Sequence, residues 1–286
     1  MFIYNMTTHI SVKKVALFTN ARDEKHIREW AAHHLLIGFD YIIIFDHNSI
    51  IPLSNIFLNF DKRVTIIRYN TPPKCDGVKS ILMNKAIHIA RKLNVDWFIY
   101  LDADEFIILN NNLRGIKALL TMYHFADSLG INWLMFGSNN LIKDPDDLIL
   151  NSYTKSELKL DKHVKTFVRP FKALSSINAH FYNITNQKNM HGVDKALDQN
   201  REPFCFNSTN LNYTQVPAYI AHHLYQSEES FYKRKIIKER DDNGELRAPL
   251  SYDVIHSLHN HTENLYPKIK YVENIKNFLN QYNCSY

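Results

Sequence analysis

The chain has 286 residues, 45% hydrophobic and 22% charged, with a formal net charge of +5. Such a composition suits an aqueous folded protein with a sizeable core, and it excludes a disordered or collagen-like chain. Apolar runs such as YIIIF and WFIYL stop after about five residues, far short of the roughly 20 that span a bilayer.

The opening MFIYNMTTHISVKK lacks the continuous apolar stretch of a secretory signal. The expectation is therefore a cytoplasmic protein with no integral membrane segment. Cys75, Cys205 and Cys284 are widely spaced and form no CxxC pair, so neither a disulfide framework nor a thiolate zinc site is expected.

Taken in chain order, the first half alternates two periodicities, the pattern of an α/β sheet with crossover helices. VALFT (15–19) and YIIIF (41–45) read as buried strands. Between them the run from 23 to 39 places Ile27, Trp30, His34 and Ile37 on one helical face, with Gly38 as its stop. Trp30 and His34 are expected to pack. RVTIIRY (63–69) is a third strand, TPPKCDG a breaker, KSILMNKAIHIARKL (79–93) an amphipathic helix, and WFIYL (97–101) a fourth strand. A further helix is expected over about 113–128, then strands at INWLMF (131–136) and HVKTFV (163–168). Beyond residue 175 the periodicity weakens. A basic run, FYKRKIIKER (231–240), reads first as a solvated helix face and second as a phosphate contact.

Crossovers of these lengths force parallel pairing, and in parallel α/β sheets ligands bind outside the carboxyl ends of the strands. Three polar clusters stand at strand ends: Asn20-Ala21-Arg22-Asp23-Glu24, Asp46-His47-Asn48-Ser49 and Asp102-Ala103-Asp104-Glu105. The last is the most unusual, three carboxylates within four positions directly after an oily strand. On an extended strand Asp102 and Asp104 would share a side, about 7 Å apart at Cα. Such a pair is costly unless a cation shares it, and Mg2+ or Mn2+ takes one or two carboxylates plus substrate phosphates.

Five blocks, RDEKHIREWAAHHLLIGFDYIIIFDHNS, DWFIYLDADEFI, NWLMFGSN, KTFVRP and HHLYQSEESFYKRK, together resemble the GT-A glycosyltransferases of the family 2 and family 92 type over residues 13–240. The resemblance implies a GT-A fold: a mostly parallel central sheet flanked by helices, with an irregular C-terminal extension. It implies one catalytic domain over 1–286, with a nucleotide-binding half at about 13–110, an acceptor half at about 111–240 and a helical extension at 241–286. It further implies transfer from a UDP- or GDP-type sugar to a glycan, protein or small-molecule hydroxyl, with inversion and without nucleic acid as partner.

On this chain the resemblance places Mn2+ or Mg2+ on Asp102, Asp104 and His222. It assigns the nucleotide sugar to Asn20, Arg22, Glu24, Asp46 and Asp102. Lys165, in the KTFVRP block, is the preferred phosphate contact, ahead of Arg169 and members of the 233–240 basic run. As catalytic base it favours Asp194, with Asp144, Asp146 and Asp147 as competitors. Asn151 stands where an acidic residue is common, and Asp23 where Asn is common. Two other readings stay open: a degenerate GT-A binding protein, and a nucleotidyltransferase, although NARDEK lacks the glycines of a phosphate loop.

Overall fold

The computed structural model describes residues 11–72, 74–110, 113–186, 189–193 and 211–283. The chain begins β1 (Val15–Ala21), α1 (Ile27–Leu36), β2 (Tyr41–His47), α2 (Leu53–Ile56), β3 (Val64–Tyr69), α3 (Val78–Lys92) and β4 (Trp97–Tyr100). It continues β5 (Glu105–Leu109), α4 (Ile116–Met122), β6 (Ser128–Met135), α5 (Ile149–Ser152), β7 (Lys155–Ser156), β8 (Val164–Val168), β9 (Ala173–Ser176), β10 (Tyr182–Ile184) and β11 (Met190–Gly192). It closes with β12 (Ala218–His222), α6 (Glu228–Phe231), α7 (Tyr252–Ser257), β13 (Thr262–Glu263) and α8 (Tyr266–Asn280).

The main sheet runs β3-β2-β1-β4-β8-β6-β12-β5, with β11 added beside β6. β1 pairs in parallel with both β2 and β4, and β2 with β3. β8 enters antiparallel between β4 and β6. β12 lies parallel to β6 and antiparallel to β5. This is a mixed α/β architecture in which parallel pairs predominate.

Alternation along the strands splits the core into two layers. Val15 and Leu17 of β1 face α1 with Trp30 and Leu35, whereas Ala16 and Phe18 face α3 with Leu82 and Ala86. Gly38 ends the α1 turn at φ 105°, a left-handed conformation in which it avoids the Cβ penalty. Trp30 and His34 are buried, as their periodicity implies. The Trp30 indole N–H donates to Glu105 O at 2.8 Å, tying α1 to β5.

Helix α4 is shorter than the 113–128 expected, running only from Ile116 to Met122, and Ser128 already begins β6. Strands β5 and β12 were not expected. They are short, buried throughout and paired with each other, so neither shows the period-2 alternation that marks a half-exposed strand.

A cation-ringed acidic cleft as candidate active site

Asp102 and Asp104 sit in the turn between β4 and β5, not on an extended strand. The two carboxylates therefore meet different partners. Asp102 Oδ1 accepts from Lys79 Nζ, and Oδ2 from Lys165 Nζ at 3.1 Å. Asp104 Oδ2 accepts from Arg234 Nη2 at 2.7 Å and Lys235 Nζ at 2.8 Å.

Burial would raise both carboxyls. Lys165 and Lys79 nevertheless hold Asp102 well below the usual carboxylate range, and Lys235 and Arg234 do the same for Asp104. Glu105 goes the other way. Burial, opposed by Lys165 and helped by Asp102 and Asp104, pushes it up to about 8, so it is a neutral acid at pH 7. Repulsion within the triplet is thus relieved by keeping one member protonated and giving the other two four cations.

Each cation is delivered by a different piece of chain. Lys79 lies in the first turn of α3, and Lys165 is the second residue of β8, 1% exposed, also donating to Ala179 O at 3.0 Å. Arg234 and Lys235 belong to a π-helical turn, Tyr232–Ile236, whose i→i+5 bonding rotates the chain less per residue than an α-helix, and these two consecutive residues reach one carboxylate. Lys233, in the same turn, points outward to Glu229. The register of β12 against β5 places His222 opposite Glu105, and His223 N–H donates to Asp104 O at 2.9 Å. His222 Nε2 is consequently 3.6 Å from Asp104 Oδ1.

These groups line a cleft of about 460 Å³ at the carboxyl ends of the parallel strands. Its wall carries eight Lys or Arg side chains against six Asp or Glu, an excess that favours an anionic ligand. Asp104 Oδ1, His222 Nδ1, Trp133 Nε1 and Arg234 Nη1 are buried there with no hydrogen-bond partner among the described residues. Orphaned polar atoms this close together call for a polar ligand.

One end of the cleft is crossed by the strap 238–242. Arg22 Nη2 donates to Glu239 O at 2.5 Å, Asn20 Nδ2 to Asp241 Oδ2, and His47 Nδ1 meets Asp241 Oδ1 at 2.9 Å. Beneath it a cavity of only about 20 Å³ is left between Arg22, His47, Thr71 and Asp241.

Of the residues singled out from sequence, Asn20, Arg22, Glu24, Asp102, Asp104, Lys165 and His222 all line this one cleft. Asp46 does not. It is 1% exposed, capping the following turn through Ser49 N–H at 3.2 Å and Leu53 N–H at 2.9 Å while pairing with Arg68 at 2.7 Å. Its strand-end position serves the turn, the local alternative open to any Asp followed by Asn and Ser.

Asp144, Asp146 and Asp147 also lie off the cleft wall: Asp144 pairs with Lys25 and His26, the Asp146 side chain is 98% exposed, and Asp147 pairs with Lys276. Arg169 instead stacks over Trp97 and donates to Ala126 O and His124 O. Asp194, Cys205 and Cys284 lie outside the described residues. Cys75 is a free thiol.

Sequence reasoning missed Lys79 as a cleft residue, and it held Arg234 and Lys235 only as members of a basic run whose second reading was phosphate contact. Helical periodicity could not show which members of that run a π turn would bring to the cleft.

Among the described residues no group of three or more His, Cys, Asp or Glu is arranged to hold a metal. The donor set is smaller: the orphaned Asp104 Oδ1 and the imidazole of His222. A hard divalent cation that keeps waters and substrate phosphates fits two protein ligands.

A paired-carboxylate turn and four cations thus meet at the carboxyl edge of the α/β sheet. The sequence model of glycosyltransferase family 92 matches residues 15–235, and the chain belongs to that family. No curated protein sequence matches it. Among solved structures, S. aureus TarS 1–349 in complex with UDP-GlcNAc aligns at 15% identity and a TM-score of 0.35, over 55% of this chain and 46% of that one. HddC from Yersinia pseudotuberculosis aligns at 12% identity and a TM-score of 0.36, over 77% of this chain and 96% of that one. The chain thus spans just under half of the TarS fragment.

Proposed function

We propose that the protein moves a glycosyl group from a UDP- or GDP-linked sugar to an acceptor hydroxyl, with inversion at the anomeric carbon. The ring of Lys79, Lys165, Arg234 and Lys235 around Asp102 and Asp104 carries the reading. As the bond between C1 and the diphosphate oxygen lengthens, positive charge grows on the sugar ring and negative charge on the leaving group. The four cations are already oriented at the place where that negative charge would collect, and charge-assisted hydrogen bonds to phosphate are the strong kind.

Asp102 and Asp104 keep those side chains in register before the donor arrives. Asp104 and His222 would also be the protein ligands of Mn2+ or Mg2+, which when bound supplies Lewis-acid charge at the same oxygens. Asn20, Arg22 and Glu24 stand where the nucleoside would lie, although Asn20 and Arg22 are now engaged by the strap and Glu24 by Arg234.

Thermal unfolding against a panel of UDP- and GDP-sugars, with and without Mn2+, tests this reading. A ligand that binds only the native state at 100 times its dissociation constant adds about 2.7 kcal/mol, so the cognate donor should raise the Tm by several degrees. Arg234→Ala should abolish the rise. A panel with no stabilising member in either condition would refute the proposal.

A further inference from the structure

Inverting transfer needs a base for the acceptor hydroxyl, and the carboxylates on the cleft wall are all engaged. Glu24 holds Arg234 at 2.9 Å, Asp102 and Asp104 hold the four cations described above, and Glu239 holds Arg22 at 3.4 Å. Asp241 meets His47 and Asn20, and Asp242 meets Arg240. Each of these carboxylates among the described residues is therefore paired with a cation or a polar side chain.

The cleft also offers an imidazole. His163, just before β8, places Nδ1 at 2.5 Å from Asp161 Oδ1, and its backbone N–H donates to the same oxygen at 2.8 Å. With the Nδ1 proton turned to Asp161, the lone pair sits on Nε2, which has no protein partner among the described residues. The side chain is 46% exposed and lines the cleft.

The His163 ring stacks on Trp133, centroids 5.1 Å apart, and Trp133 in turn touches His222 at 4.3 Å. The indole therefore stands between this histidine and the diphosphate seat, with its own unpartnered N–H beside them. Other charged or titratable groups nearby are Lys165, 5.9 Å from the indole ring, and His180, 5.6 Å from the His163 ring. His180 is the poorer base, since burial and Lys165 bring it down to about 4 while its Nδ1 is spent on Val164 O at 2.9 Å.

We propose that His163, oriented by Asp161, is the general base that activates the acceptor hydroxyl; this rests on the transferase reading above. The acceptor proton passes to Nε2 as the acceptor oxygen bonds to C1. The C1–O bond to the diphosphate breaks, its electron pair leaving with the phosphate oxygen. Asp161 stabilises the imidazolium, which then returns its proton to water. The arrangement is the carboxylate–imidazole pairing of hydrolase triads turned to a sugar hydroxyl.

The test uses whichever UDP- or GDP-sugar raises the Tm, with methyl glycosides as acceptors. His163→Asn should lower kcat by about 10²–10⁴-fold and abolish the acid-side limb of the kcat/KM profile, with the donor-induced Tm rise unchanged. Asp161→Asn should lower kcat while leaving the donor KM and the donor-induced Tm rise unchanged. Wild-type kcat and an intact limb in His163→Asn, with both lost in Asp194→Asn, would overturn the assignment. Absence of donor binding and transfer in the wild type would instead sink the transferase reading, an outcome separate from the behaviour of His163.

Discussion

At the scale of single residues, Asp104 has two jobs that mutation separates. It is 2% exposed, anchors Arg234 and Lys235, and presents an orphaned oxygen toward His222. Asp104→Asn leaves two partly buried cations short of their counter-charge, and breaking one side of a buried pair costs up to about 3–5 kcal/mol. The expected outcome is a lower urea midpoint together with transfer reduced by at least about 100-fold, because removal of one electrostatic element of this kind costs that much. A stable variant with full activity would show that the carboxylate is dispensable.

Buried titratable residues set a second expectation. Burial lowers His33 and His180 to about 4 and His223 to about 3, takes His34 well below its ordinary value and also lowers His222 and His191; it raises Glu29 to about 7 and Glu105 to about 8. Between about pH 4.5 and 6, unfolding lets these imidazoles take up protons and the two carboxyls release them. The imidazoles outnumber the carboxyls, so unfolding takes up protons on balance and stability falls as pH falls. Urea unfolding at pH 7 and pH 5 measures this; a flat or rising profile on acidification would contradict it.

At the scale of elements, the strap and the π turn decide how the cleft is used. The strap is held by Gly77 N–H to Asp242 O at 3.2 Å and Lys79 N–H to Asp241 O at 2.9 Å, besides its side-chain bonds to Asn20 and His47. A nucleoside that takes over Asn20 and Arg22 must displace those contacts. Amide hydrogen exchange at Gly77 and Lys79 should therefore quicken when the cognate nucleotide sugar saturates the protein. Slower exchange there would mean that the strap closes over the donor instead.

At the same scale, the first four strands and two principal helices were legible because each carries a full apolar period. β5 and β12 were not, being buried on both faces and told only by what they pair with. His222 was legible as a candidate from its block, but its distance from Asp104 comes from the pairing of those two strands.

At the scale of the whole molecule, the family match ends at residue 235, yet the core does not. Helix α8 buries Tyr271, Val272, Ile275 and Leu279, and the Tyr271 hydroxyl accepts Leu109 N–H at 3.0 Å. Full burial of such side chains is worth about 1.5–3 kcal/mol each, together about 6–12 kcal/mol, comparable to the 5–15 kcal/mol of a typical domain. A chain cut at residue 250 is expected to be insoluble or molten by near-UV circular dichroism; a cooperative unfolding transition in that fragment would contradict this. Among the described residues no helix is long and apolar enough to cross a membrane.

The order of strands and helices in the first half, the strand ends that bear polar clusters and the position of Asp102 and Asp104 just after the fourth strand were determined by sequence alone. Periodicity and local turn chemistry act over a few neighbouring residues and can be read there. Which cations answer those carboxylates, that Asp46 serves a turn, that Glu105 is neutral and that His163 meets Asp161 beside Trp133 were decided only in three dimensions. Charge and burial depend on through-space distance, and the partners of one carboxylate here lie 130 residues away along the chain.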